Sequence, residues 1–135
     1  MRPLPFTGCT VLVIEDDPDA REVLQRLLMI LGARVMAAAD GGEGLERLAR
    51  SHPDIVFCDL SMPIMDGFEF ARRMRAEPQY RRVVLVAVTG RDRQSAFLDT
   101  WTAGFHAHLA KPITVEALTA LARRLSGRSD VESVA

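Results

Sequence analysis

The fold is decided by one stretch of sequence, Asp54-Ile55-Val56-Phe57-Cys58-Asp59-Leu60-Ser61-Met62-Pro63. Its apolar run, Ile55–Cys58, has the continuous hydrophobic character of a short strand that is covered on both faces. Asp59 follows this run directly, and a carboxylate at the end of a buried strand is costly unless another group pairs with it. The rest of the sequence must therefore supply partners for Asp59.

Other apolar runs end in polar side chains that are suited to this pairing. The runs and the residues that follow them are Val11–Ile14 with Glu15 and Asp16, Val83–Val88 with Thr89, and His108–Ala110 with Lys111. A parallel sheet brings the carboxyl ends of its strands to one edge, where open α/β folds place their ligand sites. We therefore expect two acids, a hydroxyl and an amine to lie near Asp59.

Strand-length apolar runs alternate with segments of helical period along the chain. Strands are predicted at Val11–Ile14, Ala33–Ala38, Ile55–Cys58, Val83–Val88 and Phe105–Ala110. Helices are predicted from Asp17 to Leu31, over Gly41–Ser51, from Phe68 to Met74, over Asp92–Ala103 and over Thr114–Leu125. Five βα units joined by right-handed crossovers predict an α/β fold with a doubly wound, five-stranded parallel sheet.

The helical spacing also predicts which side chains face the sheet. The expected inward residues are Val23, Leu24, Leu27, Leu28, Leu31, Leu45, Leu48, Ala49, Phe68, Phe70, Ala71, Met74, Val115, Leu118, Leu121 and Leu125. Asp17 and the pair Asp66-Gly67 are interpreted as helix-start and turn residues. The arginines of Arg72-Arg73-Met74-Arg75 are interpreted as a solvated face.

Length, composition and charge limit the class of protein. The 135 residues are 48% hydrophobic, which predicts one globular domain. The predicted division is an N-terminal lead at 1–9, the domain at 10–126 and a disordered tail at 127–135. A net charge of −1 gives no electrostatic reason to expect nucleic acid or an anionic membrane as a direct partner.

The sequence shows neither a targeting segment nor a disulfide pattern. No apolar stretch approaches the length of a membrane span, and Met1–Gly8 lacks the apolar core of a secretory signal. Cys9 and Cys58 are too few for a disulfide framework, and Cys58 lies inside an apolar run. These features predict a small buried thiol and a cytoplasmic location, where thiols stay reduced.

The predicted cluster of Glu15, Asp16 and Asp59 indicates a cation site. Like charges at close range repel, and Mg²⁺ takes oxygen ligands and typically works with one or two carboxylates plus a phosphate. The backbone carbonyl of Ser61 is a further candidate ligand, because the chain turns directly after Asp59. The sequence therefore predicts a magnesium site at this edge of the sheet.

The same cluster has the groups needed for chemistry at phosphorus. An ionised aspartate whose charge is balanced by a metal can attack phosphorus, which makes Asp59 the candidate nucleophile. The Lys111 amine can stabilise the charge that develops on the phosphoryl oxygens, and the Thr89 hydroxyl can donate a hydrogen bond to one of them.

Taken together, these residues resemble the response-regulator receiver domain of two-component signalling. The motifs that carry the resemblance are Val11-Leu12-Val13-Ile14-Glu15-Asp16-Asp17, Phe57-Cys58-Asp59-Leu60-Ser61-Met62-Pro63, Met65-Asp66-Gly67, Val88-Thr89-Gly90 and Ala103-Gly104-Phe105 leading to Leu109-Ala110-Lys111-Pro112. Each motif alone is weak evidence for this family, but the whole set, in this order and at this spacing, is specific to it. It covers roughly Thr10 to Ser126.

The resemblance implies a flavodoxin-like (βα)₅ fold with strand order 2-1-3-4-5. It implies that Asp59 is the phosphoacceptor of a two-component or phosphorelay pathway and takes its phosphoryl group from a histidine of a sensor kinase or phosphotransfer protein. Such a domain is a signalling module that assists its own phosphoryl transfer and hydrolysis. It is not an enzyme acting on a separate substrate.

The resemblance also assigns roles to the other site residues. Glu15 and Asp16 fall on the family's acidic pair, with Asp16 as the more direct Mg²⁺ ligand. Thr89 falls on the switch hydroxyl and Lys111 on the family's lysine, and the Lys111–Pro112 bond falls on a cis peptide. The chain departs from the pattern at His108, where the family often has Tyr or Phe as the second switch residue.

The expected output is a contact with another protein, because no recognisable effector segment follows Leu125. By resemblance, the interaction face is Thr89–Leu125, which covers the last two helices and the last strand. Two settings remain open, a free-standing regulator and a receiver from a hybrid sensor kinase. A homodimer also remains open, whereas direct nucleic-acid and membrane partners are not expected.

Two other classes of function use similar residues or the same strand order. A phosphatase of the haloacid-dehalogenase kind also uses Asp, Thr, Lys and Mg²⁺. It places the nucleophilic Asp on the first strand, whereas the first strand here leads into the acid pair Glu15-Asp16. A flavin-binding module shares the strand order, but the acidic loop after Ile14 would repel a flavin phosphate and lacks the donors of a phosphate cradle.

Overall fold

The structure is a computed structural model that describes residues 3–90 and 103–134, with the side chains of 3–90 and 103–126. Its five strands are β1 (Thr10–Ile14), β2 (Arg34–Ala38), β3 (Ile55–Asp59), β4 (Val84–Thr89) and β5 (Ala107–Ala110). All pairings are parallel, and the strand order is β2-β1-β3-β4-β5. The predicted α/β class and the order 2-1-3-4-5 are therefore confirmed.

The described residues form four α-helices and one 3-10 turn, Pro78–Tyr80. The helices are α1 (Pro18–Ile30), α2 (Gly41–Ser51), α3 (Gly67–Arg75) and α4 (Val115–Val134). The helix predicted over Asp92–Ala103 falls on residues outside the described range, apart from its last position. The backbone of α4 continues past Leu125, where the sequence prediction ended it, because no proline follows Pro112 to interrupt it.

Side chains that accept hydrogen bonds from the first-turn backbone fix the starts of the helices. Asp17 accepts from the Ala20 amide at 2.9 Å, and Asp66 accepts from the Glu69 amide at 2.9 Å. Thr114 caps α4 by accepting from the Ala117 amide at 3.1 Å. The interpretation of Asp17 and Asp66 as structural acids is thus confirmed, because both satisfy otherwise unpaired helix donors.

The core lies on both faces of the sheet. Alternate residues of β1 point to opposite sides, so that Leu12 and Ile14 join one apolar cluster and Val11 and Val13 join the other. The first cluster packs against α2 and α3, and the second against α1 and α4. Cys58 is fully buried in the first cluster, as predicted. This double coverage explains why the central strands read as unbroken hydrophobic runs.

The helical pattern predicted too wide an inward face in three helices. Val23 is 55% exposed and Val115 is 38% exposed, while Ala49 also lies at the surface. Val23 and Ala49 each neighbour a buried leucine, from which helical geometry rotates them by about 100°. Val115 is the first residue of α4 and precedes the turn that packs on the sheet. Apolar character alone did not bury these side chains.

Arg75 was predicted to be solvated, and this prediction was wrong. Its guanidinium donates to the backbone carbonyls of Tyr80 and Val83, both at 2.9 Å, and of Gly104 at 3.1 Å. Arg72 and Arg73, on the same helix, are exposed as expected. Arg75 differs because it stands at the end of α3, beside carbonyls of the segments that enter β4 and β5.

The N-terminal segment contributes one side chain to the core. Phe6 is 1% exposed, and its ring lies 6.4 Å from that of Phe57 at an interplanar angle of 65°. The Phe6 amide donates to the Leu31 carbonyl at 2.8 Å. The division of the chain at residues 9 and 126 stays a prediction.

Across the described ranges, no helix is at once long enough and apolar enough to cross a bilayer.

Candidate functional site

The polar strand ends meet at the carboxyl edge of the sheet. Asp59 and Thr89 are the last residues of β3 and β4, and Glu15 directly follows β1. All three are buried, at 5%, 3% and 4% exposure. Lys111 follows β5, and its amide donates to the Thr89 carbonyl at 2.8 Å. The parallel register therefore places four side chains that are distant in sequence at one edge.

Three carboxylates form the centre of this site. Glu15, Asp16 and Asp59 each offer an oxygen, and these oxygens lie within 4.8 Å of one another. Burial, followed by hydrogen bonding with Asp59, raises the pKa of Glu15. Desolvation and hydrogen bonding with Glu15 raise the pKa of Asp16. Crowded carboxylates with raised pKa values fit a hard divalent cation that takes oxygen ligands, such as Mg²⁺.

Lys111 brings a cation to the site. Its Nζ lies 2.7 Å from Glu15 Oε1 and 3.5 Å from Asp59 Oδ2. Burial works to lower the pKa of Lys111, but the hydrogen bond to Glu15 and the charge of Asp59 outweigh it, so that the pKa is raised. The side chain as a whole is 35% exposed. The Lys111–Pro112 peptide bond is cis.

Glu15 is held by the protein at three points. Oε1 accepts from Lys111, Oε2 accepts from the Asp17 amide at 3.2 Å, and the backbone carbonyl accepts from Arg21 Nη1 at 2.9 Å. Both carboxylate oxygens of Glu15 thus already have protein donors. Asp16 is the exposed member of the cluster, which makes it the most accessible of the three to an ion from solvent.

The loop after Asp59 folds back against the site. The Ser61 amide donates to Asp59 Oδ1 at 3.1 Å, and the Gly67 amide donates to the Leu60 carbonyl at 3.1 Å. A Cβ on Gly67 would lie 2.5 Å from the Asp59 carbonyl oxygen. Sequence reasoning treated Gly67 as a turn residue and missed this close approach to Asp59. The metal-ligand role of the Ser61 carbonyl stays a prediction.

His108 lies on β5, which β4 separates from β3 and Asp59. It pairs with Ala87 across the β4–β5 register and is half-buried. Burial lowers the pKa of His108, which favours the uncharged imidazole at neutral pH. Its role as a switch residue, like that of Thr89, stays a prediction.

The sequence matches the family described as the response regulator receiver domain over residues 11–123. It is 36% identical over 129 residues to the response regulator MprA of Mycobacterium avium (strain 104), which covers 93% of this chain and 56% of that protein. The chain thus spans about half the length of the curated relative.

Solved structures share the fold at moderate sequence identity. The chemotaxis protein CheY4 of Vibrio cholerae is 28% identical, with a TM-score of 0.80 over 86% of this chain and 97% of that one. The receiver domain of a sensor histidine kinase from Pseudomonas aeruginosa PAO1, described with a magnesium ion coordinated in its active-site cleft, is 31% identical. Its TM-score is 0.79 over 87% of this chain and 97% of that one. The matched residues and the shared fold together show that this chain belongs to the response-regulator receiver domain family.

Proposed function

We propose that this chain is a phosphoacceptor module of a two-component or phosphorelay pathway, with Asp59 as the acceptor. The observation that supports this proposal most directly is the placement of Lys111 Nζ 3.5 Å from Asp59 Oδ2, beside two further acids. A lone buried aspartate would be a costly structural residue. An aspartate with an adjacent amine and a cluster suited to a cation has the groups that phosphoryl transfer requires.

The proposed donor is a phosphohistidine of a sensor kinase or phosphotransfer protein. A carboxylate oxygen of Asp59 attacks phosphorus and forms the P–O bond, while the P–N bond breaks and its electron pair returns to the imidazole nitrogen. Lys111 then holds a phosphoryl oxygen as an ion pair, and the Thr89 hydroxyl donates to another. Both contacts stabilise charge that develops during transfer, which is where such donors are most effective.

Mg²⁺ would be held by Asp16 and Asp59, with Glu15 and the Ser61 carbonyl as further candidates. When bound, the ion would neutralise the acidic cluster and polarise phosphoryl oxygens. Glu15 contributes by orienting Lys111, since its Oε1 lies only 2.7 Å from the ammonium. The Asp17 amide in turn fixes the other oxygen of Glu15 at 3.2 Å.

The proposed output is a change in protein contacts in the cytoplasm. The expected interaction face is Thr89–Leu125, with a downstream protein or a second copy of the chain as the partner and no direct binding to nucleic acid. Thr89 and His108 are the proposed switch residues. Thr89 ends β4, and His108 lies on the adjacent edge strand β5. A shift of the Thr89 side chain toward a phosphoryl group would therefore change the packing between β4 and β5.

The test is phosphorylation by acetyl phosphate, followed by intact mass spectrometry. Wild-type protein with Mg²⁺ should gain one phosphoryl group, and chelation of the metal should abolish the gain. Asp59→Asn should remain unmodified, whereas Asp66→Asn, which changes an exposed cap residue and keeps a capping side chain, should react like wild type. Modification of Asp59→Asn at the wild-type rate would place the acceptor elsewhere and refute the proposal.

A phosphatase of the haloacid-dehalogenase kind remains the enzyme alternative. The same preparation should release no phosphate from p-nitrophenyl phosphate in multiple turnovers. Steady turnover that Asp59→Asn abolishes would favour the enzyme and count against a signalling module.

A further inference from the structure

The last strand of the sheet, β5, is short and ends next to the site. β5 has only four residues and pairs with β4 along one edge. In a short edge strand, a slip of one residue moves every side chain to the opposite face. Such a slip would displace Lys111, which directly follows β5. The register of β5 therefore matters for the site at the carboxyl edge.

His106, which directly precedes β5, pairs with Leu85 in two ways. The His106 amide donates to the Leu85 carbonyl at 2.7 Å. The Leu85 amide donates to Nδ1 of the His106 imidazole at 3.0 Å. A ring nitrogen thus occupies the acceptor position that a backbone carbonyl would hold in a continuing ladder. Since a backbone amide can only donate, Nδ1 must carry a lone pair and the ring proton must reside on Nε2.

Arg75 approaches the same nitrogen from α3. Its Nη2 lies 3.2 Å from His106 Nδ1. A guanidinium also can only donate, which requires the same tautomer of His106. The group further donates to the Gly104 carbonyl, from Nε at 3.2 Å and from Nη2 at 3.1 Å. Arg75 therefore ties the end of α3 to the segment that enters β5.

Gly104 permits this contact in two ways. Its φ is +105°, a conformation that side chains disfavour. A Cβ at this position would lie 2.7 Å from Cγ of Arg75, so the arginine stem crosses the open face of the glycine. The segment before β5 is thus shaped around the Arg75 side chain.

We propose that Arg75 and His106 act as a register lock for β5, with the imidazole Nδ1 serving as a ladder acceptor for Leu85. We define the register lock as these two side chains together with the Leu85 amide. The lock makes His106 and Arg75 positioning residues for His108 and Lys111, and only this consequence rests on the proposed function. The tautomer and the hydrogen bond follow from the donor geometry alone.

The first test is NMR spectroscopy of the unphosphorylated protein labelled with ¹⁵N. The His106 ring should show the shifts of the Nε2–H tautomer at neutral pH. A coupling across the hydrogen bond should link the Leu85 amide nitrogen to Nδ1 of His106. A ring protonated on Nδ1, or no coupling to Leu85, would refute the lock without bearing on phosphorylation.

The second test compares two amide variants of His106. In His106→Asn, the side-chain oxygen can take the place of Nδ1, whereas in His106→Gln it extends toward the position of Nε2. Hydrogen exchange of the Leu85 amide should stay close to wild type in the asparagine variant and accelerate by about tenfold in the glutamine variant, as expected for one lost hydrogen bond. Equal exchange in the two variants would refute the lock.

The third test measures labelling of Asp59 by acetyl phosphate in both variants. His106→Gln should be labelled several-fold more slowly than His106→Asn, because a displaced β5 moves Lys111. Equal labelling rates would refute the positioning role. Failure of wild-type protein to be labelled at all would instead refute the proposed function, and the NMR result would still decide the lock. Arg75→Lys should accelerate exchange at Leu85, since one ammonium cannot reproduce the arginine fork.

Discussion

Lys111 pairs more closely with Glu15 than with Asp59, at 2.7 Å against 3.5 Å. The shorter ion pair of the ammonium is therefore with Glu15, and the longer one is with Asp59, the proposed acceptor. A phosphoryl group on Asp59 would bring new negative oxygens close to the Lys111 ammonium. Glu15 thus pairs with Lys111 while the ammonium remains 3.5 Å from Asp59.

Replacement of Lys111 by glutamine should separate phosphoryl transfer from metal binding. We expect the rate of Asp59 labelling in Lys111→Gln to fall by about 100-fold, the usual cost of losing one donor to developing charge. The affinity for Mg²⁺ should rise, because the variant removes a positive charge from the acidic cluster. Labelling kinetics and calorimetric Mg²⁺ titration measure the two effects. A variant with unchanged labelling would exclude Lys111 from the transfer step.

The protonation of Lys111 can be observed without interference from other lysines, because it is the only lysine in the chain. Reductive methylation with ¹³C-formaldehyde should give one side-chain signal in addition to that of the N-terminus. Although burial opposes it, pairing with Glu15 and Asp59 raises the pKa of Lys111. We expect Glu15→Gln to lower this pKa, as read from the pH dependence of the signal. An identical titration in the variant would show that Glu15 does not control the lysine.

The affinity for Mg²⁺ should fall as the pH is lowered, because the ligands are carboxylates. Metal binding needs ionised carboxylates, and the pKa values of Glu15 and Asp16 are both raised above their usual ones. Protons should therefore compete with the metal at higher pH than at a site of ordinary carboxylates. Calorimetry at several pH values measures this dependence, with Asp54→Asn as the control, because Asp54 is exposed and precedes β3 at the opposite edge of the sheet. A decline that begins no higher in pH than is usual for ordinary carboxylates would contradict it.

The sequence predicted the polar edge because each site residue follows a recognisable strand. Runs such as Ile55–Cys58 are distinctive, and parallel pairing then forces their carboxyl ends together. The order 2-1-3-4-5 came from family resemblance, since hydrophobic periodicity does not specify which strands are neighbours. The predicted last strand, Phe105–Ala110, begins two residues before the observed β5. At His106 the Leu85 amide donates to a ring nitrogen instead of a backbone carbonyl, and no pattern of apolar residues predicts that bond.

Contacts of single side chains with residues distant in sequence could not be predicted from the sequence either. Arg75 lies in an arginine-rich stretch that looks solvated, and its hydrogen bonds to the carbonyls of Tyr80, Val83 and Gly104 distinguish it from Arg72 and Arg73. Phe6 lies in a segment with two prolines that resembles a linker, yet its ring fills space beside Phe57. In both cases at least one partner, Gly104 for Arg75 and Phe57 for Phe6, is far away in the chain.

A methyl group at Gly67 should disturb the loop that follows Asp59. The Cβ of Gly67→Ala would lie 2.5 Å from the Asp59 carbonyl oxygen and 2.8 Å from Leu60 Cα, and these are backbone atoms that cannot rotate away. We expect a loss of stability of about 1–3 kcal/mol, typical of overpacking, together with slower labelling of Asp59. Urea denaturation and labelling kinetics measure the two effects.

Gly42 supplies the matched control for that substitution. It lies in the first turn of α2, and an added Cβ would find its nearest neighbour, Asp40 Oδ1, at 3.4 Å. Gly42→Ala should leave labelling unchanged and should not reduce stability, because alanine favours the helix by up to about 1 kcal/mol. If Gly67→Ala matched this control in both measurements, the close approach of Gly67 to Asp59 would be refuted.

Truncation of Phe6 should destabilise the whole domain, although it lies before the first strand. Its ring is 1% exposed and packs edge-on against Phe57 in the cluster beneath α1 and α4. Phe6→Ala should lower the free energy of unfolding by about 3–5 kcal/mol, the range for a buried phenylalanine. Leu4→Ala is the control, because Leu4 is 52% exposed and its removal should change stability by less than about 0.5 kcal/mol. Equal denaturation midpoints for the two variants would mean that the N-terminal segment is not part of the folded core.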